Sequence, residues 1–231
     1  MGDTNFDPSE SNWDDFPEEN SWNEHQWRKY LKDSDSDIER FLSIYNTLKD
    51  KPNHFDEIAT EMGWNIEDIS LAENFDFTES EDGPEENFEE DDCMPPYTPL
   101  SHPVIVVTHA LYSSLRQIWE NYIDQNGSYA SPQFCWQYAD SLHQAEMNVV
   151  FAVHAIDLGD YGLTICHLKN SLSSLNKTFS LLNQIVHPNE VFLANFRQEI
   201  RVRLFDLREL WIRVMGDCRI ECNRRCDNDS D

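Results

Sequence analysis

The sequence predicts an all-α protein in which a C-terminal antiparallel four-helix bundle follows a small acidic helical domain and a disordered acidic linker. Three observations predict this fold. Apolar residues recur every three or four positions in four long segments of the C-terminal half, as in amphipathic helices. Glycine or proline separates these segments. Acidic side chains concentrate at the front: residues 1–103 carry 29 Asp/Glu and 6 Lys/Arg, a net charge of −23, whereas residues 104–231 carry 15 and 11, a net charge of −4.

The first 75 residues predict a disordered tail and a small helical domain. Residues 1–20 are acidic and polar without a helical repeat, which predicts disorder. Residues 21–75 contain Ser-x-x-Glu at positions 21 and 36, and each capping box predicts the start of a helix. We expect Pro52-Asn53 to end the second helix and cap the next one, which Gly63 closes.

A linker is predicted between this small domain and the bundle. Residues 76–100 crowd acidic side chains together, and three prolines follow within the same segment. Like charges repel each other, and proline denies the helix a backbone donor. The domain boundary is therefore expected here.

The bundle is predicted to span residues 101–216. Its first helix begins near Pro103, and Ser131-Pro132 opens the second. Gly159 separates the second helix from the third, and Pro188 separates the third from the fourth. Gly216 is expected to close the fourth, which leaves residues 217–231 as a tail. Each helix has roughly 24 to 27 residues, about 36 to 40 Å, and short loops make neighbours antiparallel.

Charge and hydropathy exclude several kinds of partner. The net charge of −27 repels phosphate backbones and anionic lipids, so nucleic acid is not an expected partner. The N-terminus has no basic stretch followed by an apolar one, and the apolar runs are too short to cross a membrane. We expect a cytoplasmic protein whose partner is another protein or a second copy of itself.

Metal, cofactor and catalytic sites are not predicted. The pair Asp140-x-x-His143 has one-turn metal-ligand spacing, but the inward seam of its helix is apolar, so a solvated surface histidine is the favoured interpretation. Cysteines recur at positions 218, 222 and 226 without a C-x-x-C pair, which favours a tail with no structural role. No Gly-x-Ser-x-Gly elbow or phosphate-binding glycine loop occurs, so no enzyme is expected. The metal candidates in the bundle are His109, His143, His154 and His167 with Glu120, Asp140, Glu146, Asp157 and Asp160. On the second helix, Glu146 is expected on an outer stripe, away from the apolar seam.

Residues 55–75 resemble a helix-turn-helix. Ala59, Gly63 and Ile69 match the family's helix, turn and core positions. The resemblance implies that the second helix of the motif reads DNA, but this helix carries acidic residues and no lysine or arginine. We therefore interpret the motif as a way of packing helices.

Residues 148–177 resemble the hairpin of a single tetratricopeptide repeat around Leu158-Gly159-Asp160-Tyr161. Thr164 and Ser171 stand where that family has alanine, and no second copy follows at its 34-residue period. A general αα-hairpin is the favoured interpretation.

The fourth predicted helix carries the candidate partner-binding residues. Arg197, Arg201 and Arg208 share one face. This is the basic end of the protein, and its other expected surface arginines are Arg203, Arg213, Arg219, Arg224 and Arg225. One interpretation is an ordinary solvated surface, because cations are favourable near the C-terminus of a helix. The other is a face that binds acidic segments of this chain or of a partner.

The function predicted from these observations is a non-enzymatic cytoplasmic interaction or scaffold protein. One alternative is an acidic mimic of nucleic acid that occupies a basic protein, and another is a metal-binding or enzymatic bundle. The partner, the oligomeric state, the biological process and any small-molecule ligand stay open.

Overall fold

The computed structural model describes residues 22–64, 98–126 and 129–228, and all regular structure in these ranges is helical. The predicted tail 1–20 and most of the linker 76–100 lie outside the described residues. The all-α prediction is confirmed. In chain order the elements are α1 (Glu24–Leu48), α2 (His54–Met62), a 3-10 turn (Pro99–Ser101), α3 (Pro103–Asn126), α4 (Pro132–Asp157), α5 (Tyr161–Gln184) and α6 (Glu190–Asn228).

Helices α3 to α6 pack in a ring, because each contacts the next and α6 contacts α3 again. This arrangement is consistent with the predicted four-helix bundle. Most seam residues are buried, and most of the others pack partly buried against the core, so the period of three and four in the sequence does mark the core. Prominent core side chains are Leu111, Leu115, Tyr138, Leu142, Val149, Leu168, Leu175, Ile200, Leu204, Leu207 and Trp211.

The turn between α4 and α5 forms as its sequence dictates. Gly159 has φ of 71°, in the left-handed region that suits glycine. Asp160 then caps α5, because its Oδ1 accepts a hydrogen bond from Leu163 N at 2.9 Å. Ser131 caps α4 in the same way, accepting from Phe134 N at 3.2 Å.

The start of α1 differs from the prediction. One helix runs through position 36, so the Ser36 capping box does not open a helix. The capping residue is Asn23, whose side chain accepts from Gln26 N while Gln26 Oε1 accepts from Asn23 N. No glycine or proline interrupts residues 24–48, so the helix continues through position 36. The backbone amides after Ser36 are then paired within the helix and need no cap. Asn53 does precede α2, but in a left-handed conformation and without a side-chain cap hydrogen bond.

The end of α6 also differs, since the helix continues past Gly216 to Asn228. Glycine costs about 1 kcal/mol inside a helix, and here the surrounding contacts offset that cost. Met215 and Cys218 are buried beside it. Further on, Arg225 Nη1 donates to Gly159 O at 2.8 Å, and its guanidinium lies 4.6 Å from the Tyr161 ring centre. The first part of the predicted tail 217–231 is therefore structured.

Helices α1 and α2 contact the bundle. Helix α1 packs on α3, and Phe41, Tyr45 and Ile58 belong to the same apolar cluster as the bundle core. Polar contacts add to this packing, because Arg213 Nη1 lies 3.2 Å from Asp56 Oδ1. None of the helices in the described ranges is apolar over a stretch long enough to cross a bilayer.

Candidate partner-binding surface

The three arginines singled out in the sequence have different environments on α6. Arg197 serves the fold: its guanidinium donates to three carbonyl oxygens at the C-terminal end of α5. The acceptors are Leu182 O at 3.2 Å, Asn183 O at 3.0 Å and Ile185 O at 2.5 Å. These carbonyls lack partners within their own helix, so Arg197 caps α5.

Arg201 and Arg208 are more available than Arg197. Arg201 is half-buried and donates one hydrogen bond to Asn183 Oδ1 at 2.6 Å. Arg208 is exposed, and within the described residues it has no hydrogen bond or ion pair. At least one guanidinium on this helix therefore presents its donors to solvent.

Two large apolar side chains lie between and beyond these arginines. Phe205 is 52% exposed and Ile212 is 44% exposed. Positions 201, 205, 208 and 212 follow helical spacing, so the four side chains line one face of α6. We call this set, Arg201, Phe205, Arg208 and Ile212, the α6 stripe.

Phe179 of α5 widens the stripe. Its ring centre lies 5.0 Å from that of Phe205 at a tilt of 42°, and it packs against the core while remaining partly accessible. A partner at the stripe would therefore meet aromatic surface from two helices. Sequence reasoning found the arginines but not Phe205 and Ile212. The available signal was apolar residues at helical spacing from Arg201 and Arg208, outside the seam.

A buried polar cluster on α6 lies beside the stripe and ties α1 and α2 to the bundle. The Tyr45 hydroxyl donates to Asp206 Oδ2, and both residues are buried. His54 Nε2 lies 3.4 Å from Asp206 Oδ1. Hydrogen bonding with the Asp206 carboxylate raises the pKa of His54 above its ordinary value, although burial opposes the shift. Burial and the charge of Asp206 raise the pKa of Tyr45, so the phenol stays protonated and donates.

Arg203 was expected among the surface arginines but is 4% exposed. Its Nε donates to Ser114 Oγ at 2.9 Å, and its Nη1 donates to Glu199 O at 2.9 Å. Arg203 therefore contributes to packing of α6 on α3 rather than to the stripe.

A second buried charge corrects the expectation that the seam of α4 is wholly apolar. Glu146, expected on an outer stripe, is 6% exposed. Arg116 Nη1 donates to Glu146 Oε2 at 2.5 Å, and His109 Nδ1 lies 2.8 Å from Glu146 Oε1. Burial by itself raises the pKa of Glu146, but these two partners outweigh it and hold the pKa below its ordinary value. This cluster pairs a buried charge across α3 and α4, as such a charge requires.

The remaining metal candidates are dispersed. His143 and His154 are exposed, and Asp140 pairs with Lys177 across α4 and α5 at 3.3 Å. Asp157 is half-buried, and burial raises its pKa to about 6. Within the described residues, no group of three or more potential ligands lies close enough to hold a metal ion. His167 lies near Asn148, Glu120 is exposed, and Asp160 is the cap of α5.

The side chains of four cysteines are described, and all four are free thiols: Cys135, Cys166, Cys218 and Cys222. Cys218 is fully buried, and burial raises the pKa of its thiol to about 12. A thiol held protonated is a poor nucleophile and a poor metal ligand. Its role is therefore packing, in contrast to the expectation that this cysteine has no structural role.

The α4–α5 hairpin explains the residues that depart from the tetratricopeptide pattern. Thr164 Oγ1 donates to Ala152 O at 3.3 Å, and Ser171 Oγ donates to Ala145 O at 2.9 Å. Both hydroxyls are buried between the helices and are satisfied by carbonyls of the opposite helix. The small side chains permit close packing, as alanine would, and add polar contacts.

Of the helix-turn-helix-like segment, the structure describes the first half. Gly63 has φ of 81° and ends α2, as its position in the motif predicts. The second helix of the motif lies outside the described residues. Comparisons with known proteins found no matching family model, no matching curated protein and no matching solved structure.

Proposed function

We propose that this chain is a non-enzymatic cytoplasmic protein that binds another protein through the α6 stripe. The observation that carries the proposal is the exposure of Phe205 between Arg201 and Arg208. Aromatic and arginine side chains contribute most strongly to protein–protein interfaces. When a partner covers a half-exposed aromatic ring on a helix, the burial of apolar surface lowers the free energy.

The chemistry of the stripe indicates the kind of surface that binds it. Guanidinium groups favour carboxylates in two-pronged hydrogen bonds, and the apolar side chains between them favour rings or aliphatic groups. A segment with acidic and aromatic side chains in alternation meets both requirements.

Affinity enrichment from the source cell with quantitative mass spectrometry tests the proposal. We expect the partner to be recovered with the wild-type chain and reduced at least tenfold with Phe205→Ser or Arg208→Glu. Purified partner and chain should then show the same loss in direct titration.

Matched controls separate a binding role from a general change of surface. Phe151 on α4 is 49% exposed, so Phe151→Ser removes a ring of similar accessibility elsewhere. Lys169 is an exposed cation on α5, so Lys169→Glu makes the same charge change as Arg208→Glu. Equal recovery of every protein with the stripe variants and with the controls would refute the stripe as the binding surface.

A further inference from the structure

We infer that an acidic and aromatic segment of this same chain, residues 65–97, occupies the α6 stripe until a partner displaces it. The inference rests on the proposed role of the stripe as a protein-binding surface and names its first occupant. Three features support it: the composition of the segment, the place where the described chain enters it, and the charge of the whole protein.

The composition of the segment complements the stripe. Residues 65–97 contain 13 Asp/Glu and no Lys/Arg, and Phe75, Phe77 and Phe88 are interspersed among them. The α6 stripe offers the reverse, two guanidinium groups with Phe205 and Ile212 between and beyond them. Carboxylates can therefore pair with the arginines while a ring from the segment covers the exposed apolar surface.

The segment begins within reach of the stripe. Two side chains of α2 contact α6, because His54 is next to Asp206 and Asp56 is next to Arg213. Trp64, the last described residue before the segment, lies about 12 Å along the chain from Asp56 at 1.5 Å per helical residue. Phe75 follows only 11 residues later, and an extended chain of that length spans roughly 35 Å.

Helical geometry also limits how far around α6 the stripe lies from α2. Asp206 and Arg213 are two turns apart and face α2. Phe205 and Ile212 each precede one of them by a single residue, which rotates them by about 100° around the helix. The stripe therefore lies about 100° around α6 from the side that contacts α2, so the segment can reach it without passing around the whole bundle.

Charge favours an occupant from the same chain over a separate acidic one. With a net charge of −27, the protein repels other anions at long range. A tethered segment has an effective concentration in the millimolar range. Its charge is already part of the folded protein, so its binding does not bring a second anion to the surface. A separate acidic partner must therefore bind the stripe strongly enough to displace the segment.

A photo-crosslinker tests the inference in the full-length chain. Phe205 is replaced by benzoylphenylalanine, an aromatic residue that the exposed position accommodates, and the same residue at Phe151 is the control. Chains with natural and heavy nitrogen are mixed before irradiation, so that mass spectrometry distinguishes crosslinks within one chain from those between two.

We expect crosslinks from position 205 to residues 65–97 of the same chain, and none to this segment from position 151. In 1 M salt the Debye length falls to about 3 Å, so the yield should drop about tenfold relative to 0.1 M salt. Changing Glu85, Glu86, Glu89 and Glu90 together to Gln should lower the yield at low salt.

Crosslinks between chains, crosslinks only to other parts of the chain, or a yield that does not change with salt would overturn the inference. Its failure can be distinguished from failure of the proposed function. If position 205 forms no crosslink to the segment but Phe205→Ser still loses the partner, the segment is not the occupant and the stripe still binds proteins. If neither depends on Phe205, both statements are wrong.

Discussion

Glu146 provides the sharpest test of how the bundle is held together. Its side chain is buried and joins α4 to Arg116 and His109 of α3. We consider Glu146→Gln, which keeps the shape and removes the charge, and Glu146→Ala, which removes the acceptor oxygens as well. Both variants leave the apolar side chains of the core unchanged.

The expected loss of stability follows from the exposure of the partners. Breaking a fully buried ion pair costs about 3–5 kcal/mol, because the remaining charge has no compensation. Arg116 is 45% exposed and His109 is 29% exposed, so each can turn partly towards water when Glu146 is gone. We therefore expect about 2 kcal/mol for Glu146→Ala and less for Glu146→Gln, in the range of hydrogen bonds to charged groups.

Thermal unfolding followed by circular dichroism measures this loss. For a domain of this size, 1 kcal/mol corresponds to about 2–4 °C, so Glu146→Ala should lower the midpoint by roughly 4–8 °C. Asp140→Asn is the control, because it removes a charge from an exposed pair with Lys177 that also joins two helices. Exposed pairs contribute about 0.2–1 kcal/mol, and the control should lose no more than that.

The pH dependence has a definite sign. The pKa of Glu146 is below its ordinary value in the folded protein, so its contribution is complete above the ordinary pKa of about 4.5. The contribution is lost as the pH falls through the lowered folded value. The gap between wild type and Glu146→Gln should therefore shrink as the pH falls into the acid range. Equal losses for Glu146→Ala and Asp140→Asn, or a gap that does not change in acid, would refute the account.

Four further predictions concern other parts of the chain. The pKa of His54 is raised, so the stabilisation from its charge is complete below about pH 6.5 and is lost as the pH rises through the folded pKa. Wild type should therefore lose stability relative to His54→Gln as the pH rises. Urea titrations at several pH values would measure this loss. Arg225→Ala should lower the thermal midpoint by a few degrees by removing the contacts to Gly159 and Tyr161, whereas no change would mean that the end of α6 does not stabilise the bundle. Elemental analysis of the purified protein should find no stoichiometric transition metal, and His143→Ala should leave the midpoint unchanged; one metal per chain, lost in that variant, would contradict both. Limited proteolysis should cut first between residues 79 and 99, and a resistant fragment spanning them would contradict the predicted linker.

The helices of the bundle could be predicted because their signals are local. An apolar period of three to four residues, a proline after Ser131 and a glycine at 159 act within one or two turns. These signals lead to α3, α4 and α5 almost residue by residue. The same local reasoning was wrong at position 36, where a capping box lies inside a helix that was already formed.

The buried charges could not be predicted because they depend on residues far away in the chain. The sequence of α4 alone predicts Glu146 at the surface, and its burial depends on Arg116 and His109 of another helix. Asp206 lies next to the apolar seam of α6 but becomes buried when α1 and α2 cover it. Gly216 resembles a helix end in the sequence, and the packing around Met215 and Cys218 that continues the helix past it is not a local signal.

For the candidate site, the arginine half was visible in the sequence and the apolar half was not. A charge pattern on one helix face can be read directly, but its availability depends on what each side chain meets in the fold. Arg197 donates its hydrogen bonds to the carbonyl oxygens at the end of α5, and Arg203 is buried. Only part of the basic face is therefore accessible to a partner. Phe205 stands out only once its exposure is known.

The position of Asp206 has a consequence for the order in which the chain folds. Tyr45 and its acceptor are 161 positions apart, so this contact cannot form until nearly the whole bundle has been synthesised. Contacts between such distant positions slow folding, because a long stretch of chain must be ordered before they contribute. Helices α1 and α2 therefore leave the ribosome early, but the hydrogen bond between Tyr45 and Asp206 that joins α1 to α6 forms late. During that interval their apolar faces depend on α3 or on a chaperone for cover.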